Sequence, residues 1–183
     1  MQVNEVGDLV LTDPQAMRAL AVPGAMALLD RLRRVGPACA AELSPHDGET
    51  PAELDERLQQ LAPFGFVERT DDRWRAVGRG VYFEIPEDPE GQAAARALSN
   101  TMFLSVADLP GRWLEDTEPG LDVRWLRAAG LFNARVRVTP EELQHLQEGL
   151  EALLAPFTSR DEADVPSEAG QVRVLAYFMP EPA

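Results

Sequence analysis

The sequence predicts a mainly α protein with a small β component. It reads as an N-terminal helical domain over residues 11–79 and a C-terminal α+β dimerisation and accessory region over residues 80–183. Three observations carry this prediction. Leucines recur at helical spacing in Leu28, Leu29 and Leu32, in Leu54, Leu58 and Leu61, and in Leu143, Leu146, Leu150 and Leu153. The last two stretches each open on Thr-Pro followed by a glutamate at the third helical position, Thr50 with Glu53 and Thr139 with Glu142. Between them, Phe64–Arg69 and Trp74–Val77 read as two strands across a turn of Thr70, Asp71, Asp72 and Arg73.

The elements follow in order. Thr12, Asp13 and Pro14 start a first helix with Met17 and Leu20 on its apolar side, and Ala21–Gly24 interrupts it. A second helix runs from about Pro23 to Val35, where Arg31, Arg33 and Arg34 suit the negative end of the helix dipole. Gly36 and Pro37 stop it, and Pro37–Leu43 reads as a short helix of small residues. Ser44–Glu49 is turn chemistry, and the capped helix from Thr50 ends at Pro63.

Beyond Gly78, Val81–Ile85 is extended, and a helix from Asp88 to about Leu109 carries Ala93, Ala94, Ala97, Leu98, Thr101, Met102 and Leu104 on a broad apolar face. Pro110 and Gly111 break or bend it. Asn133–Val138 and Val172–Phe178 are expected to be strands, the first from its polar–apolar alternation, with a helix to about Phe157 between them. Short helix, turn, capped helix and hairpin in that order is the layout of a winged helix-turn-helix, whose helix after the turn faces the DNA major groove.

Composition narrows the function. The chain has 183 residues, a net charge of −14 and 45% apolar residues, with no apolar run of membrane-spanning length. The opening Met1–Leu11 lacks the basic start and apolar run of a secretory signal, and a lone Cys39 fits a reducing compartment, so the expectation is cytoplasmic. All 17 basic residues are arginine. Nine arginines stand against thirteen acids in residues 1–80, and eight against eighteen in residues 81–183. The N-terminal part is less acidic, yet it lacks the basic excess that phosphate neutralisation favours. No nucleophile elbow, phosphate loop, zinc-protease or dinucleotide-binding spacing is present, which argues against an enzyme and gives no cofactor.

The resemblance lies in three stretches. Asp13–Ala21, Leu28–Ala38 and Leu58–Val67 resemble the arsenic-repressor-type (ArsR-type) winged-helix regulators, and Pro86–Gly91 onward through Leu143 and Val172 is similar to that family's extended actinobacterial branch. The resemblance implies a homodimer held largely by terminal helices, two recognition helices in successive major grooves of double-stranded DNA, and wings on the flanking phosphates. On this reading the DNA-binding residues are Thr50, Ala52, Asp55, Glu56, Arg57, Arg69, Arg73 and Arg75, and the dimerisation residues are Ala94, Leu98, Thr101 and Met102.

The sequence departs from the family where DNA contact is made. Recognition helices of the family usually present Ser, Gln, Arg and a His or Tyr, whereas the outer face here reads Glu53, Asp55, Glu56, Arg57, Gln59 and Gln60. Arg57 suits a guanine edge, and equally an ion pair with Glu53 one turn away. In the hairpin, Arg69, Arg73 and Arg75 are balanced by Glu68, Asp71 and Asp72. Trp74 should point inward with Arg73 and Arg75 outward, because side chains alternate along a strand. The second function therefore carried forward is a winged-helix protein that has lost DNA binding and acts through another protein or a small molecule.

The remaining chemistry-bearing residues have plain structural readings. Cys39 with only His46 and His145 offers no metal-ligand spacing and reads as a small buried helix cysteine. His46 is expected as a solvent-exposed turn residue, with a phosphate contact as the sharper reading, and His145 as a boundary residue on a helix between Leu143 and Leu146. Trp113, Trp125, Phe132, Tyr177 and Phe178 read as core, with a pocket for a small-molecule effector as the sharper reading.

Overall fold

The computed structural model describes residues 2–4, 7–44 and 49–181. The chain divides into two compact units, Met1–Ala128 and Ala129–Ala183. In the first unit the order is β1 (Gln2–Val3), β2 (Leu9–Leu11), α1 (Pro14–Leu20), α2 (Ala25–Val35), α3 (Ala40–Leu43), α4 (Pro51–Leu61), β3 (Val67–Thr70), β4 (Arg73–Ala76), β5 (Val81–Phe83), α5 (Pro89–Val106), α6 (Leu109–Arg112) and α7 (Val123–Ala128). The second unit holds α8 (Pro140–Thr158). Helix dominates, and among the described residues the sheets are two: β1-β2-β5 and the hairpin β3-β4. No described helix is long and apolar enough to cross a membrane.

The helices form where the sequence supplies their ends. Asp13 caps α1 by accepting from the Gln15 N–H at 2.9 Å, with Pro14 at the first position. α2 begins two residues later than its leucine pattern suggests, because Gly24 sits in the left-handed region at φ 83° and turns the chain into it. α3 is only four residues long. The residues before it are held otherwise: Ala38 exchanges both backbone hydrogen bonds with Trp74, at 3.0 and 2.8 Å, which fastens this segment to β4 instead of a helix. A 3-10 turn over Ala62–Phe64 and Gly65 at φ 73° likewise delay β3 to Val67.

One apolar core serves the first unit from β2 to α5, and no residue of α6 or α7 is buried. Met17 and Leu20 of α1, Leu28, Leu29 and Leu32 of α2, Leu43 of α3, Leu54, Leu58 and Leu61 of α4, Phe66, Trp74 and the β2 leucines Leu9 and Leu11 are all buried. Each such leucine contributes about 1.5–3 kcal/mol by leaving water. Ala94, Ala95 and Leu98 of α5 belong to the same cluster, packed on α1. Arg18 pairs with Glu90 at 2.8 Å, and the Thr101 hydroxyl donates to the Ala21 carbonyl at 3.0 Å.

Three expectations change here. The boundary drawn at residue 79 does not separate two cores, because β5 pairs in parallel with β2 (Val81 opposite Leu9, Phe83 opposite Leu11) and α5 completes the core of α1. β1 and β2 were not foreseen. Their run is short, and its alternation shows only once β5 is beside it. The long helix stops at Val106, and the break falls at Ala107–Asp108, so Pro110 and Gly111, expected to break it, lie inside α6, which a π-helical turn over Trp113–Thr117 follows.

The second unit differs in kind. None of its described residues is buried. Asn133–Val138 and Val172–Phe178, expected as strands, form no strand pairing. Alternation gives a segment two faces, but a strand exists only where another strand accepts its backbone bonds. α8 forms as predicted, with Thr139 and Glu142 exchanging cap hydrogen bonds at 2.8 and 3.2 Å.

Candidate nucleic-acid interface

α4 is the helix that the layout would aim at DNA. Its start is fixed locally: the Glu53 N–H donates to Thr50 Oγ1 at 3.3 Å, and Glu53 Oε2 accepts from the Thr50 N–H at 2.7 Å and from its hydroxyl at 2.8 Å. The backbone N–H of Thr50, then its hydroxyl, hold the Glu53 carboxyl below the usual carboxylate range, so this end of α4 is anionic. Thr50 is engaged in the cap. Leu54, Leu58 and Leu61 face the core, leaving Ala52, Glu53, Glu56, Gln59 and Gln60 exposed.

Asp55 and Arg57 do not stand free on that exposed face. Asp55 is half-buried and accepts from Trp74 Nε1 at 2.8 Å and from Gln59 Nε2 at 2.6 Å, which ties α4 to β4. Arg57 leans back and donates to Glu49 Oε1 at 2.5 Å. Its guanidinium also packs over Gly24, where an added Cβ would lie 2.7 Å from Nη1. The expected ion pair of Arg57 is therefore with Glu49 and not Glu53, because Glu53 is already spent on the cap. With Asp55 and Arg57 withdrawn, the charges left facing solvent along α4 are Glu53 and Glu56, both negative.

The hairpin follows the alternation expected for it. Trp74 is 3% exposed, and Arg73 and Arg75 point outward. Each hairpin arginine nevertheless has a partner. Arg69 pairs with Asp72 at 3.4 Å and lies 5.4 Å from the Trp74 ring centroid. Arg73 donates to the Pro37 carbonyl at 2.6 Å and to Glu42 Oε1 at 2.8 Å, and Arg75 pairs with Glu68. The Cys39 N–H, then Arg73, hold the Glu42 carboxyl below its ordinary range. The sequence balanced these charges on paper; the fold brings them into contact. Glu42 and Glu49 are the two partners that sequence spacing could not assign, since each lies outside the element of its arginine.

Of the four residues expected at a dimer contact, two are buried within the chain and two are half-buried. Ala94 and Leu98 are covered by α1 of the same chain, Thr101 is bonded to Ala21, and Met102 packs on the core. The face of α5 left to solvent instead carries Gln92, Ala93, Arg96, Ala97 and Asn100 along a shallow depression, with Leu104 beyond. An apolar stripe on a helix is broad enough to mislead by one position, and here Ala95 took the inward place.

The other candidates are dispersed. Cys39 is half-buried at the start of α3, where its N–H donates to Glu42 at 3.0 Å. His145 is exposed, and His46 lies outside the described residues. Among the described residues no three His, Cys, Asp or Glu side chains converge as a metal site. The aromatics fall in different units. Trp113 and Trp125 are half-buried in the first, and Phe132 in the second is 90% exposed, so it is not core. The two depressions along α5 and β5 are lined by none of these aromatics.

No protein-family model, no curated protein and no solved structure matches the chain.

Proposed function

We propose that the chain is a transcriptional regulator that binds operator DNA as a homodimer through a winged helix-turn-helix, with α3 and α4 as the helix pair and β3-β4 as the wing. One observation carries the reading: α4 projects its outer face to solvent directly beside a hairpin whose outward residues include Arg73 and Arg75, with Arg69 exposed beside the Trp74 ring. The Asp55–Trp74 hydrogen bond fixes the hairpin against the helix, so both would meet one DNA surface together. The ion pairs on the arginines are exposed, and such pairs are worth only about 0–1 kcal/mol each. Phosphates can therefore recruit these guanidiniums at little cost. On this reading α4 contributes shape and Ala52, Gln59 and Gln60, and the affinity comes from the wing.

A second reading is favoured by a specific observation, the carboxylate partner on every hairpin arginine together with the two solvent-facing acids of α4, Glu53 and Glu56. In that reading the domain keeps its fold and docks a protein instead of DNA.

Selection of genomic fragments by the purified protein at low salt separates the two. The DNA reading expects enriched fragments sharing a palindrome. It also expects Arg75→Ala to weaken binding alike across sequences and to lower the slope of log K against log salt by about 0.9, one phosphate contact. Absence of enrichment, or an affinity indifferent to salt, would reject it in favour of the second.

A further inference from the structure

We infer that the outer edge of β5 takes an extended, acidic peptide segment of a partner protein as a fourth strand, seated along α5 with a carboxylate on Arg96. The site uses no residue of α4 or the hairpin, so it operates whether or not those meet DNA.

The backbone selects an extended occupant. β5 is the last strand of the sheet β1-β2-β5, and no described strand pairs beyond it. Its pairing with β2 engages one set of groups: the Leu9 N–H donates to the Gly80 carbonyl and the Glu84 N–H to the Leu11 carbonyl, each at 3.1 Å. Val81 stands opposite Leu9 and Phe83 opposite Leu11. The alternation of a strand therefore turns the N–H and C=O of Val81 and Phe83 away from β2. None of these groups has a backbone partner among the described residues. β5 itself carries no proline, charge or bulge that would blunt such an edge. An open row of alternating donors and acceptors is matched by another extended backbone.

The surface beside the edge selects the side chains. Phe83 and Ile85 share a depression of about 480 Å³ with Ala95, Arg96, Ser99 and Asn100 of α5, all within the first unit. Ile85 continues the side of the strand on which Val81 and Phe83 pack against the core, yet it is 72% exposed. An apolar side chain on an added strand would pair with it across the edge.

Arg96 supplies the charge. It has no ion pair or hydrogen bond among the described residues, whereas each hairpin arginine has a carboxylate. Gln92 and Asn100 stand one turn to either side of it on the same face of α5 and line the same depression. A guanidinium flanked by amide donors suits a carboxylate. An acidic peptide residue would give Arg96 the partner that it lacks within the chain.

The test is selection from a phage-displayed library of randomised decapeptides against the full chain, with anisotropy titration of the enriched peptides. Apolar residues at alternate positions and an Asp or Glu at one fixed place are expected. Arg96 is exposed, so Arg96→Glu should leave folding intact by circular dichroism and weaken binding by about tenfold or more, because like charges then meet. Arg34→Glu, the same charge change on an exposed position of α2, should not. Methylating alternate peptide amide nitrogens should abolish binding in one phase and spare it in the other, since only every second residue of an added strand bonds to the edge. The Val81 and Phe83 amides should exchange more slowly in the complex. An empty selection overturns the proposal, and if Arg96→Glu then alters sedimentation, a second copy occupies this face instead. Peptides whose affinity ignores Arg96→Glu, or whose two methylation phases behave alike, overturn it as well.

Discussion

α4 and α8 are written in the same local code and meet opposite fates. Each begins with Thr-Pro, each has a glutamate three residues on that closes a capping box, and each carries leucines along one side. In α4, Leu54, Leu58 and Leu61 are no more than 1% exposed. In α8 the leucines are half-buried or open, up to 71% at Leu153. The cap and the leucine period decide that a helix forms and which side is apolar. What covers that side is decided by residues outside the helix: α3 and α1 pack on α4, and among the described residues of its own unit nothing buries the stripe of α8.

The largest expected effect tests this difference directly. Leu58→Ala should cost about 2–5 kcal/mol, because it opens a cavity in a closed core. Leu153→Ala should change stability by about 0.5 kcal/mol or less in chains dilute enough to be single. Urea unfolding monitored by circular dichroism measures both. Equal costs in dilute solution would mean that the stripe of α8 is buried after all.

A second effect concerns what holds α4 in place. The Asp55–Trp74 hydrogen bond joins it to the hairpin by a charged acceptor, and bonds of that type contribute about 1.5–3 kcal/mol. Trp74→Phe should lose about that much, with some repacking added. The same substitution in an Asp55→Ala background should lose clearly less, so a double-mutant cycle isolates the tie. A cycle without coupling would show that the bond adds nothing and that the hairpin is held by apolar packing alone.

This contrast explains what the sequence made legible. Helix starts were readable at Thr50, Thr139, Asp13 and Asp88, because a cap is decided by neighbours within three residues. The inward side of Trp74 was readable from alternation. The parallel pairing of β2 with β5 was not, since some seventy residues separate the strands and neither run is long enough to announce itself. At the candidate interface the residue types were legible and their engagement was not. Arg57 and Arg73 found Glu49 and Glu42, acids on other elements, and Asp55 was claimed by an indole across the core edge. The unpaired alternation at 133–138 and 172–178 marks the same limit. A pattern states a preference, and a partner is required to satisfy it.

A smaller effect compares the two caps. Thr50→Ala and Thr139→Ala each remove an oxygen that accepts from the third-position N–H, at a cost of about 1 kcal/mol. For α4 the loss should appear in cooperative unfolding, because the helix is part of the core. For α8 it should appear as faster amide exchange in the first turn, where no burial compensates. Unchanged exchange around Glu142 in Thr139→Ala would show that the cap does not hold that helix end.

The smallest expected effect is the response to acid. The folded pKa of Glu53 is lowered by the N–H and hydroxyl of Thr50, and that of Glu42 by the Cys39 N–H and Arg73. A lowered folded pKa gives stability that is present above the ordinary carboxylate pKa of about 4.3 and is lost as pH falls through the lowered value. Glu53→Gln should therefore be less stable than wild type at pH 7 and lose less on acidification below about pH 4. Asp8 carries the opposite sign. Burial raises its pKa, with Arg33 and Arg79 offsetting only part of the effect. Its contribution is unfavourable at neutral pH and is relieved as pH falls through the raised value, so Asp8→Asn should gain stability at pH 7 and lose that advantage in acid. Unfolding midpoints of the two variants between about pH 3 and 7 should thus approach wild type from opposite sides, Glu53→Gln from below and Asp8→Asn from above. If both approached from the same side, burial would not be what governs Asp8.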